Sequence, residues 1–330
     1  MRHNCRKCRW ERCRAAGAQL QVSVLPVPRK EESLVWLSPQ PTITRLAPLF
    51  KLEHLMRGYD DFLAAQRALV VELHPELVGN DQQLVRVKKT LLALMEQKSL
   101  PLLFRFYSDH FGPLSKLGKQ QKINLVMKSY SEFGIFHKAF LTSCFFPHVD
   151  DERLAIFNGY FGMFDFGRHG AEVCRPHWFF EGFVENEKID TYVSVISPMM
   201  SRLYRQVRRF KSQGFRQFDV CGILLLIICK HLDNEHLMTD EMVAYKEELL
   251  AEWMERLRRE FQPSEVITEF TKRMFFYYES DHVCREFNRA FTVLSAFWIR
   301  TDEHAYADVE REMQKLSSDV SPREKTTRDA

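Results

Sequence analysis

Just after Pro48, a residue tolerated in a helix's first turn, apolar side chains return at intervals of three and four. Leu49, Leu52, Leu55, Met56, Tyr59, Phe62 and Leu63 fall on one helical face. The same period predicts a helix over about 82–98. With Pro101 at or before its first turn, another follows over roughly 102–111, and Gly112-Pro113 breaks it. Between Lys119 and Thr142, Ile123, Leu125, Val126, Phe133, Ile135, Phe136 and Phe140 occupy most of the helical circumference, so a buried central helix is expected. The pattern then changes. Asn158-Gly159 separates the short apolar runs Leu154–Phe157 and Tyr160-Phe161, which predicts one small β-hairpin. Helical spacing resumes after Pro198, over about 199–210, 220–232, 240–261 and 264–299, with Ser264 as N-cap of the last helix and Glu265 in its first turn.

Composition sharpens this picture. With 45% hydrophobic residues among 330, and only 13 each of glycine and proline, the chain has ample material for a mostly helical core. Residues 1–18 are cysteine-rich and basic, and Pro26, Pro28, Pro39 and Pro41 mark 19–44 as linker. The main domain is expected over 45–315 and a polar, disordered tail over 316–330. Residues 1–30 carry eight cationic side chains against Glu11, a balance of +7, which leaves −4 for the rest of a chain whose net charge is +3. Such asymmetry suggests a polyanion contact in the N-terminal arm. The longest apolar run, Val220 to Cys229, is about half of what a membrane helix needs, and the arginine-rich N-terminus has no apolar h-region. Cys144, Cys174, Cys221, Cys229 and Cys284 are expected as reduced core residues.

Two stretches carry candidate chemistry. Cys5 and Cys8 have the C-x2-C spacing that lets two thiolates close on one zinc ion, but a structural zinc takes four ligands, so this is half a site, with His3 and Cys13 the other nearby candidates. The competing reading, expected for this chain as written, is an unfolded basic tail with weak, salt-sensitive phosphate attraction. Elsewhere no G-x-S-x-G, phosphate-cradling glycine loop, G-x-G-x-x-G or H-E-x-x-H occurs, and no enzyme is expected. His137, alone on the central helix, is open to two readings: a hydrogen-bonded core residue or one facing a cavity.

The run from Asn4 to Gly17 resembles the end of the second zinc finger of nuclear hormone receptors. Cys5 and Cys8 match the family's paired ligands, Arg6 and Arg9 its phosphate-facing arginines, Arg12 a basic position, and Gly17 the closing glycine. The stretch from Tyr107 to Val126 resembles the signature of that family's ligand-binding domain, with Tyr107, Ser108, Leu114, Leu117, Lys122, Leu125 and Val126 fitting and Gln121 standing where an acid is usual. The resemblance, closest to the divergent receptors of nematodes, extends over nearly the whole chain from about residue 45.

It implies an all-α fold, a three-layer antiparallel helical sandwich with one small β-hairpin, and a nuclear, ligand-regulated transcriptional regulator; the alternative is a receptor fragment without DNA binding that titrates partners or binds a lipid. A lipid-like ligand is expected among Leu103, Phe106, Phe133, Phe136, His137, Phe157 and Phe287, against the competing possibility of a core packed solid by 27 phenylalanines. Coregulator proteins and a second receptor subunit, held along the last long helix, are the implied partners, and no membrane. DNA contact belongs to a form with complete zinc fingers, since the first finger and the other two ligands of the second do not precede Cys5. Two features depart from the family. Asp109 replaces its coactivator-clamping basic residue, and Phe291 to Trp298 lacks the activation helix's glutamate. The purified chain is expected to carry no stoichiometric zinc and to bind no duplex DNA; elemental analysis giving one zinc per chain would contradict this.

Overall fold

The computed structural model describes residues 50–80, 83–151, 153–162 and 176–297. Among them are eight α-helices: α1 (Phe50–Leu73), α2 (Lys89–His110), α3 (Lys119–Phe145), α4 (Pro176–Phe180), α5 (Ile189–Ser212), α6 (Gln217–Asn234), α7 (Asp240–Glu260) and α8 (Val266–Phe297). Three short strands accompany them, β1 (Val85–Arg86), β2 (Leu154–Phe157) and β3 (Tyr160–Gly162). None of the described helices is long and apolar enough to cross a membrane.

The helix α3 is the hub, packing against α2, α5, α6, α8 and β2. Its near-complete apolar circumference requires this, because each face must find an apolar partner. Local chemistry sets where helices start. The Gly118 N–H donates to Gln121 Oε1 at 2.8 Å at the head of α3, the Arg216 N–H to Asp219 Oδ2 at 2.9 Å before α6, and the Met242 N–H to Thr239 Oγ1 at 3.3 Å in α7.

Two prolines behave differently from expectation. Pro101 and Pro198 were expected to lie at helix starts, but α2 and α5 run straight through them. In the turn before each proline a serine hydroxyl takes up a carbonyl: Ser99 Oγ donates to Glu96 O at 2.8 Å and Ser197 Oγ to Val193 O at 2.7 Å. Tyr130 of α3 also donates to Glu96 O, at 3.3 Å. Tertiary burial of the surrounding apolar face then outweighs the missing amide. Helix α2 also begins later than expected, and Ser264 lies in the turn before α8 rather than capping it.

The expected hairpin is present but belongs to a three-stranded sheet, in which β1 pairs parallel to β3 with Val85 opposite Tyr160. Gly159 turns the hairpin at φ +119°, and a Cβ there would lie 2.7 Å from Val70, so only glycine fits. The signature residues knit α2 to α3: Leu114, Leu125 and Val126 are buried, Leu117 is half-buried, and the Tyr107 and Ser129 hydroxyls lie 3.0 Å apart. Gln121 caps α3, Ser108 is half-buried, and Lys122 Nζ donates to Ser115 O at 3.3 Å.

A buried ionic cluster joins the last three long helices. Asp219 on α6 and Arg273 on α8 are both fully buried; Arg273 Nε donates to Asp219 Oδ1 at 2.6 Å and Trp253 Nε1 of α7 to the same oxygen at 2.9 Å. Arg273 Nη1 donates to the Glu269 carbonyl and carboxylate, each at 2.9 Å, and its guanidinium lies 5.1 and 5.4 Å from the Phe215 and Phe261 rings. Replacing Arg273 by methionine leaves the Asp219 carboxylate buried without its counter-charge. Chemical denaturation should then show a loss of about 3–5 kcal/mol.

Candidate functional site

A cavity of about 220 Å³ lies where α5 crosses β2, α4 and the start of α2. Helix α5 supplies one wall because Tyr192, Ile196, Met199, Leu203 and Val207, spaced by four, three, four and four, form a single stripe. Along the rest of α5, Arg202 pairs with Glu286 and Arg209 with Glu279, anchoring the helix to α8. Leu154 and Ile156 of β2, Phe179 and Phe180 of α4, and Phe287 of α8 line the rest of the chamber. Its lining is otherwise apolar apart from Lys89 and Lys138.

Both lysines reach the same carboxylate. Lys89 Nζ lies 2.8 Å from Glu96 Oε2 and Lys138 Nζ 2.7 Å from Glu96 Oε1. Burial alone would raise the Glu96 carboxyl, but Lys138 and Lys89 together hold it at about 2, so it is ionised across the physiological range. Glu96 does not line the apolar chamber. It faces a second cleft of about 200 Å³ with Tyr130, Ser131, Cys284 and Asn288, and the two spaces share Lys138, Leu203 and Phe287 as their partition.

Of the residues expected to line a ligand pocket, Phe287 alone borders this cavity. Leu103, Phe106, Phe133, Phe136, His137 and Phe157 are buried in the packed core instead. Their rings consume one another: Phe106 lies 6.0 Å from Phe62, Phe133 5.3 Å from His137, and Phe136 5.6 Å from Phe276. Solid packing therefore holds at the centre of the body, and the space lies to one side of it. The signal for that side is the α5 stripe, which spans Pro198, so a helix expected to begin after the proline shows only half of it.

His137 is a core histidine with both nitrogens engaged. Tyr59 Oη lies 2.8 Å from Nδ1 and Gln66 Oε1 2.9 Å from Nε2, an arrangement met by a neutral ring that accepts from the tyrosine and donates to the amide oxygen. Burial, with a smaller push from Lys138, lowers its pKa from 6.5 to about 3. Cys221, Cys229 and Cys284 are buried free thiols, whereas Cys144 is exposed, contrary to the expectation of a core residue. Cys174 and the zinc and phosphate candidates Cys5, Cys8, Arg6, Arg9 and Arg12 lie outside the described residues.

In comparisons with known proteins, no family model matches the chain and no curated protein matches it.

The neutral His137 generates a pH dependence. A folded-state pKa below the unfolded one means that acid favours the unfolded chain, so its penalty begins as pH falls below about 6.5 and grows towards about 3. Denaturation of the parent chain and of His137→Asn across that range should give curves offset by a constant amount above pH 7 that converge below 6.5. A constant offset throughout would contradict the assignment.

Proposed function

We propose that the chain is a ligand-regulated transcriptional regulator of the nuclear hormone receptor type, its helices forming a three-layer antiparallel sandwich and its apolar chamber taking a lipid-like molecule. The observation that carries this reading is the coincidence of two features: signature leucines buried between α2 and α3, and a largely apolar cavity beside the helices they lock. The described surface offers a place for a second subunit as well. Ile267, Phe275 and Tyr278 are exposed along α8, which fits a homodimer or heterodimer interface. Coregulator proteins, DNA contact through completed zinc fingers, and action in the nucleus belong to the same reading.

A second reading, a receptor fragment without DNA binding that titrates partners, is favoured by Asp109. It is exposed near the C-terminus of α2, where the family resemblance implies a basic clamp for a coactivator helix, and an acid there repels the negative end of such a helix.

Two measurements test the leading reading. Native mass spectrometry of the purified chain should reveal a retained apolar molecule, and Leu203→Trp, which fills the chamber, should abolish its retention while leaving the helical content intact. The full chain fused to a heterologous DNA-binding domain should alter reporter transcription in a manner that Leu203→Trp removes. A reporter indifferent to both the chain and the variant would exclude gene regulation through this cavity.

A further inference from the structure

The chamber's polar corner is built asymmetrically. Lys89 and Lys138 border the apolar space, whereas the carboxylate that bridges them, Glu96, faces the neighbouring cleft. A molecule in the chamber thus meets two lysine side chains whose shared counter-ion borders the neighbouring cleft and not the chamber. The trio of two cations and one anion carries one unbalanced positive charge, and the side chains are only 18%, 29% and 17% exposed for Lys89, Lys138 and Glu96. An excess charge against an apolar wall is costly until a counter-charge joins it. Each ammonium has three N–H donors, of which Glu96 takes one apiece. Lys89 is further steadied over the Phe183 ring at 5.7 Å.

From this geometry we infer that the chamber binds a single-chain amphiphile with a monoanionic carboxylate head, docked on Lys89 and Lys138 with its apolar tail along the α5 stripe. The inference rests on the ligand-binding reading above and specifies the ligand's chemistry. Size and charge both favour a carboxylate. The two lysines already bracket the two oxygens of one carboxylate, one on each, so their separation suits that group's bite. One negative charge neutralises the trio, whereas a doubly ionised phosphate would overshoot it. The tail meets Ile196, Met199 and Leu203, with Met199 able to adapt its shape to the chain.

The test is calorimetric titration of the purified full chain at neutral pH with decanoate and with decan-1-ol, which share a tail and differ in head charge. Decanoate should bind about tenfold or more tightly than the alcohol, the equivalent of one charge-assisted hydrogen bond. Lys138→Met should bring the two ligands within about threefold of each other, while Lys138→Arg should keep the preference. Lys89→Met provides the same comparison should Lys138→Met fail to fold. Equal or tighter binding of the alcohol by the parent chain would overturn the anionic head while leaving a lipid cavity in place. Saturable binding of neither would overturn the inference and the ligand-binding reading together, and an unresponsive reporter with decanoate still bound would overturn the transcriptional reading alone.

Discussion

The Asp219 carboxylate is the constraint on which the rest of the body depends. Completely buried, it must collect donors from whatever surrounds it, and it does so from three directions: the head of its own helix, the α7 tryptophan and the α8 guanidinium. In a low-dielectric interior an unmet ion costs more than the pair contributes, so the cluster acts chiefly by forbidding other arrangements. Gly222, one turn along α6, tightens the same corner, since a Cβ there would come within 2.4 Å of the Trp253 ring. Register follows from this. Phe287 lies fourteen residues beyond Arg273 on one unbroken helix, about 21 Å along the axis, so fixing the guanidinium also fixes a ring that lines the chamber.

Where residue pattern alone determined the outcome, the sequence was legible. A helix apolar around its circumference has only one stable location, and the 119–142 segment is accordingly the hub. Asn158-Gly159 likewise admits a tight turn and little else, and the sheet's hairpin stands there. Strand β1 was not legible, because two residues cannot display a period; it exists through its pairing with β3. The prolines misled for a related reason. A missing amide is a local penalty, and Pro101 and Pro198 sit in helices whose burial offsets it.

The candidate site was legible only at Phe287. Ring-rich helices do not by themselves enclose space: Phe62, Phe106, Phe133 and His137 lie close enough to fill it. The space lies instead beside the methionine-bearing α5, between it, β2, the start of α2 and the five-residue α4. Polar groups are sorted by the same logic: His137 stays neutral between an acceptor and a donor, while Lys89 and Lys138 pair with one shared acid.

The cysteines give this architecture a built-in clock. Burial pushes the thiols of Cys221, Cys229 and Cys284 up, the last two to about 11, so while the helices stay closed they are poor nucleophiles as well as shielded ones. Each becomes alkylatable when its own segment opens, Cys221 and Cys229 reporting on α6 and Cys284 on the seam between α8 and the Ser131 turn of α3. Sequential modification, followed by mass, would therefore rank the breathing of these regions without any introduced label.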